Sequence, residues 1–415
     1  MAGKPNRDVT GLRICLVMRN PVDWRSVKSA RFLAAAGADV TILAFSHDVI
    51  KSKYADESFQ VVVASPIESP PSRLKFFALR GVSNRTLRKL GTAVRRRRFG
   101  VFGTHLMADK IIDLGPDVIH AVNPDVLEAC TLAARRLGAY LVYEAHEYWP
   151  DHKREVRMSY RKQNHIKVVE NDLDASVDIC VTVSDELASN YQSEYDLNVR
   201  PGIIYNAPLA IASTPSLVGD SVRAIFVGNL QEERGVFDIL DAVKHTPSID
   251  LTFLGGGEAE SLLAKKIKAY NLEGRVHLMK PVLADDVVET VNRYDIGILA
   301  HKPINRQMDG ALPNKFFEYL SAGLAVVATK TTALANFADK EGSGFIEFFE
   351  NVNAESIAFA LANLTGNKER LSRMKSAALK IGQQYAGDAQ GRRLVAAYES
   401  MLQVEPKAYL SEEQR

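Results

Sequence analysis

Short runs of β-branched and aliphatic residues alternate along this chain with longer runs of helical period, and the series occurs twice. Strands joined by helical crossovers must run parallel, and a parallel sheet needs helices on both faces. In the first series the strand-like runs are 12–18, 39–45, 60–64, 117–121, 139–144, 178–183 and 202–205. Helical runs stand at 25–36, 125–137, 155–176 and 185–195; Gly37 and Gly138 follow the first two as stops, and Ser184 is placed to cap the last. Residues 206–221 lack periodicity, carry Pro, Ser and Gly, and read as a linker. The series then restarts, with strands at 222–227, 249–254, 275–279, 295–299 and 324–328. Its helices are expected at 235–244, 258–270, 284–293, 313–321, 354–364, 367–383 and 387–403. At roughly 150 residues per domain, 415 residues allow two cores. The expectation is an α/β chain of two doubly wound, Rossmann-like domains, 1–205 and 222–385, facing across a cleft. Ligands of such sheets bind at the carboxyl ends of strands, so the cleft is the natural site.

Several function classes recede early. Net charge is +2, so no global field attracts nucleic acid. The start, MAGKPNRDVTG, has no apolar core of a secretion signal, and no run of about 18 apolar residues could span a membrane; a cytoplasmic protein is expected. Cys15, Cys130 and Cys180 lack metal-ligand spacing and read as reduced, buried thiols. Asp172 and Asp174 make a DxD, but positions i and i+2 of a helix do not share a face, so no metal site is expected there. The run Gly255-Gly256-Gly257 follows a strand without dinucleotide-binding spacing and reads as a close-approach turn.

The sharpest motif is LPNKFFEYLSAGLAVVA, 312–328. Pro313 suits a first helical position, where its missing N–H costs nothing. The N–H groups of Asn314, Lys315 and Phe316 are then free, and such a helix start attracts phosphate. Lys315 adds a full charge. Glu318, one turn on from Asn314, can accept hydrogen bonds from both hydroxyls of a ribose.

This run resembles the donor site of retaining GT-B glycosyltransferases, especially glycosyltransferase family 4. The resemblance extends to PDVIHAVNPDVLEA (116–129), YEAHEYWPD (143–151), Glu170 with VDICVTVSDELA (177–188), and AIFVGNLQEERG (224–235). It implies a GT-B fold whose last residues, 386–415, form a helix crossing back to the first domain. It implies transfer, with retention, from a nucleotide-diphosphate sugar, UDP- or GDP-linked, to a glycan or lipid-linked acceptor. No cofactor or metal is implied. His146 matches the histidine beside the reacting sugar, and Glu318 the ribose-binding glutamate. Gly228 matches the glycine that admits the diphosphate, Arg234 the diphosphate-binding cation, and the stretch to Val282 the loop that holds the base. Asn314 and Lys315 fall at the diphosphate end. Two positions depart from the pattern: Asn229 stands where an arginine is usual, and Gly310 where a second glutamate is usual. The alternatives are a sugar-nucleotide epimerase or hydrolase of the same fold, which would use the same donor site without an acceptor, and an inactive transferase-like partner protein.

One feature stands outside that pattern. Ten basic residues and no acidic one lie between Glu68 and Asp109, interleaved with apolar side chains. Residues 73–98 are therefore expected to rest on an anionic membrane surface.

Overall fold

The computed structural model describes residues 8–19, 22–46, 51–64, 103–151 and 169–407. The basic segment 73–98 and most of the expected helix 155–176 lie outside them.

The first sheet has seven parallel strands in the order β3-β2-β1-β4-β5-β6-β7. They are β1 (Arg13–Met18), β2 (Asp39–Ala44), β3 (Gln60–Val63), β4 (Val118–Val122), β5 (Tyr140–Glu144), β6 (Ile179–Thr182) and β7 (Gly202–Ile203). The second has six, ordered β10-β9-β8-β11-β12-β13. These are β8 (Val222–Val227), β9 (Ile249–Leu254), β10 (Val276–Met279), β11 (Ile296–Leu299), β12 (Ala325–Thr329) and β13 (Ile346–Phe349). In both sheets the strand order reverses beside the first strand, which opens a crevice at the carboxyl edge.

The strands are apolar on both faces because helices cover both. Along β1, Ile14, Leu16 and Met18 enter one buried cluster while Cys15 and Val17 enter the opposite one. Each such aliphatic side chain contributes about 1.5–3 kcal/mol on burial. Helices α1 (Trp24–Ala35), α2 (103–114), α3 (Pro124–Leu137), the single turn α4 (Leu173–Ser176) and α5 (Asp185–Tyr195) flank the first sheet. Asp23 starts α1 by accepting from the Ser26 N–H, and Ser184 starts α5 by accepting from Leu187. Gly138 ends α3 at φ 65°, the left-handed stop expected of it.

Around the second sheet lie α6 (Val236–Lys244), α7 (Glu260–Ala269), α8 (Val287–Asn292), α9 (Arg306–Gly310), α10 (Asn314–Ala322), α11 (Thr332–Glu341), α12 (Ala354–Thr365) and α13 (Lys368–Tyr385). Helix α14 (Gly387–Met401) leaves this sheet and packs on α1; its Leu394, Tyr398 and Met401 share a cluster with Val27, Ala30 and Leu33. Where the chain departs for α14, the Gly387 N–H donates to the Pro208 carbonyl at 2.8 Å.

Elements that escape the sequence pattern include α9, α11 and β13. Helices α9 and α11 carry local caps, Asn305 and Thr331, and α11 gains a non-local one. Asn305 starts α9 by accepting from Met308 N–H, and Asp309 accepts from both the N–H and the hydroxyl of Thr332 at the start of α11. One expectation is corrected. Pro313 is the N-cap of α10 rather than its first helical residue, with ψ 148°. The Phe316 N–H is therefore bonded to the Pro313 carbonyl at 2.9 Å, leaving Asn314 and Lys315 to present the helix start.

Candidate functional site

The two carboxyl edges face one another across a cavity of about 470 Å³. Its walls come from the loop after β1 and the start of α1 (Asp23, Arg25), from the end of β5 (His146, Glu147), and from the second sheet (Arg234, His301, Asn314, Lys315).

On the second-sheet wall, Arg234 ends a short turn, Glu232–Arg234, that leads into α6. Lys315 lies one residue into α10, with its ammonium 5.3 Å from the Phe226 ring centroid. Burial and the nearby Arg234 charge push the Lys315 amine down to about 7, against the pull of Glu318. A carboxylate or phosphate is the missing complement of such a pair. Gly228 explains why the lysine can reach this point: a side chain there would collide with the Lys315 ammonium. The Gly255 turn closes on the Gly228 backbone, where a Cβ on Gly255 would strike the Gly228 carbonyl. The glycine run of residues 255–257 is thus a close-approach turn, packed on the 228–230 loop.

His301, at the end of β11, joins these cations. Burial, Lys315 and Arg234 together hold its imidazole well below the ordinary range, so the ring is neutral. Its Nε2 is buried with no hydrogen-bond partner among the described residues. An unmade bond on a residue that lines a polar cleft marks a place for a ligand atom. Glu318 sits half-buried one turn along α10; burial raises its pKa, opposed by Lys315 and by Lys28 of the first domain.

On the opposite wall, β5 ends in Glu144, and His146 follows two residues later. Asn123, at φ 66° just before α3, accepts from the His146 N–H at 3.1 Å and fixes the loop. The His146 Nδ1 lies 3.9 Å from Asp23 Oδ2 and its Nε2 lies 3.6 Å from Glu144 Oε1. Glu144 is buried and bonded to the Arg25 Nε at 2.6 Å. Lys28, one turn along α1, donates to Asn206 Oδ1 and to the Ala207 carbonyl, both at 2.6 Å. Burial and Arg25 lower its amine to about 8.

Of the residues singled out from sequence, His146, Arg234, Asn314 and Lys315 line the cavity, and Gly228 abuts Lys315. Glu318 stands behind Lys315, within electrostatic reach of it and of Lys28. Val282 lies after β10, half-buried against the second core, and Asn229 is exposed; neither lines the cavity. Asp172 accepts from Arg135 and Ser176, whereas Asp174 accepts from Asn198. Sequence reasoning missed His301, Arg25, Lys28 and Glu144. His301 ends a strand just as the His146 loop does, and that shared position was the available signal. Arg25 and Lys28 recur at helical spacing among the buried positions of α1.

Gly310 is explained by packing. Its position for a Cβ lies 3.0 Å from Leu187 Cδ2 and 3.4 Å from the Glu186 Cβ, and its carbonyl accepts from the Ser184 hydroxyl. Helix α9 is docked end-on against α5. Arg306 reinforces the dock through its N–H to Asp151, its guanidinium to Glu194, and its stack on Tyr148.

Residues 27–207 match the family model described as Glycosyltransferase Family 4, and residues 214–381 match the model described as Glycosyl transferases group 1. No curated protein sequence matches the chain. Among solved structures, HepE of Anabaena in complex with UDP and glucose superposes with TM-score 0.69 at 14% identity, covering 94% of this chain and 100% of that one. Sucrose-phosphate synthase of Thermosynechococcus elongatus gives 0.67 at 13% identity over 94% and 99%. S. aureus TarM, in complex with fondaparinux, alpha-GlcNAc-glycerol and UDP, gives 0.66 at 11% identity over 93% and 99%. At these identities the likeness is one of fold.

Proposed function

Since this chain belongs to the GT-B glycosyltransferases, with a family 4 first half and a group 1 second half, we propose that it transfers a hexose from a UDP- or GDP-linked donor to a hydroxyl of a glycan or lipid-linked acceptor. The reaction proceeds with retention and without a metal, in polysaccharide or glycoconjugate synthesis. The observation that carries this reading is the charge arrangement of the cleft. Arg234, Lys315 and the open start of α10 converge on one wall, and His146 faces them from the other.

In this reading the donor diphosphate lies between Arg234 and Lys315 and replaces the missing counter-charge. Fixed cations and helix-start N–H groups stabilise a leaving diphosphate without reorganisation, which is the work a metal does in other transferases. Neutral His301 donates through its unpartnered ring nitrogen to a phosphate or sugar oxygen. Glu318 accepts from the ribose hydroxyls, and the loop through Val282 holds the base. His146 lies beside the anomeric carbon and orients the sugar or stabilises charge there. Asn229 supplies no charge at the diphosphate, and Lys315, admitted by Gly228, takes that part. HepE and TarM hold UDP, which favours uridine as the base. The acceptor enters from the first-domain side. The ten basic residues of 73–98 bring the enzyme to an anionic membrane surface, where a lipid-linked acceptor would lie.

The test is a thermal-shift panel of UDP, GDP, ADP and TDP on the wild type and on Glu318→Ala. A ligand that binds only the folded state raises its apparent stability. A shift with one nucleotide that disappears in the variant supports the donor site. No shift with any of the four, for folded protein, removes the reading.

A further inference from the structure

Beneath His146 runs a buried chain of polar groups that the transferase reading does not use. Glu144 Oε1 accepts from Arg25 and faces His146 Nε2 at 3.6 Å. Its other oxygen, Oε2, is 2.9 Å from His120 Nε2, and His120 Nδ1 is 2.7 Å from the Tyr398 hydroxyl. Glu144, His120 and Tyr398 are each at most 1% exposed. None of the three touches the cavity; Tyr398 belongs to α14, which arrives from the second sheet.

The chemistry of each link is fixed by what the next can offer. Burial opposes the charge on Glu144, but Arg25, His146 and His120 hold its carboxyl well below the usual range, so it is ionised. An ionised carboxylate only accepts. His120 Nε2 therefore carries a hydrogen and donates to Oε2, while its Nδ1 is tied to the Tyr398 hydroxyl at 2.7 Å. Oε2 is thereby engaged, and Glu144 is held from behind by a fully buried side chain. Oε1, which already accepts from Arg25, keeps a second lone pair and faces His146. The His146 Nε2 is buried with no bonded partner among the described residues, and 3.6 Å is just beyond hydrogen-bond length. Catalytic hydrogen bonds are often long in the free enzyme and tighten in the complex.

We propose that Tyr398, His120 and Glu144 are positioning residues that hold His146 with its hydrogen on Nε2, so that Nδ1 meets the substrate as a hydrogen-bond acceptor. The partner of Nδ1 is then a hydroxyl of the donor sugar or of the acceptor. This rests on the transferase reading for its substrate but not for its geometry. It also makes α14 part of the site, although no residue of α14 reaches the cleft.

The experiment is long-range ¹H–¹⁵N correlation on protein labelled in its histidine rings, with and without UDP. Loss of signals in His146→Gln assigns the ring. Tyr398→Phe and Glu144→Gln are compared with the wild type, and steady-state kinetics are run on each. The expected wild-type pattern is an Nε2-protonated His146, sharpened by UDP. In Tyr398→Phe that pattern becomes a mixture of tautomers, and kcat falls about tenfold with donor KM unchanged, the scale of loss when an outer partner of a functional histidine is removed. An unchanged His146 tautomer in Tyr398→Phe overturns the proposal, whatever happens to the melting temperature. If Glu144→Gln does not fold, Tyr398→Phe decides alone, since it removes one hydroxyl and no volume beyond it. Failure of the transferase reading shows separately, as absence of the UDP shift in otherwise well-ordered spectra.

Discussion

At the scale of single residues, Lys315 is the most informative group. Its amine is lowered from 10.5 to about 7 in the free fold. Between those values the unfolded chain binds a proton that the folded chain has released, so this residue makes stability rise with pH across that window. A bound diphosphate reverses the balance by favouring the ammonium. Nucleotide binding above pH 7 should therefore take up a proton, and affinity should fall by up to about tenfold per pH unit. Calorimetry in two buffers of different ionisation heat measures the uptake; a value of zero at pH 8 would show that Lys315 is not the diphosphate ligand. Lys315→Ala should weaken nucleotide binding by about 2 kcal/mol, the scale of a hydrogen bond to a charged group. Lys315, at a helix start, was singled out by a local pattern and Arg234 by the family resemblance, and both line the cavity. The roles of Arg25, Lys28 and Glu144 were not legible in the sequence. The bonds of Arg25 and Lys28 reach partners between 119 and 179 positions away, and a long-range ion pair leaves no mark on local periodicity.

At the scale of elements, the β–α alternation carried both sheets because a strand buried on both faces must be apolar throughout. The strand 249–254 and the helix 185–195 have the boundaries expected of them. Among what escaped, α11 is held in part from 23 positions away, by Asp309 on Thr332. The approach of the 228–230 loop to α10 makes a sharper prediction. Gly228→Ala aims a methyl group at the Lys315 ammonium in a backbone conformation, φ 132°, that side chains avoid. It should cost about 1–3 kcal/mol in a urea melt and should weaken nucleotide binding beyond that loss. Gly274→Ala, where a Cβ meets nothing within 4 Å, is the matched control and should leave binding unaltered. Equal nucleotide affinity in the two variants would separate the loop from the site.

At the scale of the whole molecule, the cleft is closed along one side by α9 against α5. Gly310→Glu puts a carboxylate where Leu187 already stands at 3.0 Å. The dock should open, seen as a larger radius of gyration in X-ray scattering, and under the proposed transferase reading kcat should fall at least about tenfold, since the two walls would no longer meet. Unchanged scattering and full turnover would mean that the dock does not set the working geometry. The chain crosses between the two sheets twice, outward near Pro208 and back near Gly387, and the two passages are hydrogen-bonded to each other. A single strand between two bodies is a swivel, free to twist as well as bend. Two strands fastened side by side behave like a door on two pins. They resist torsion more than bending, so any relative movement of the walls that carry His146 and Lys315 is confined chiefly to one axis.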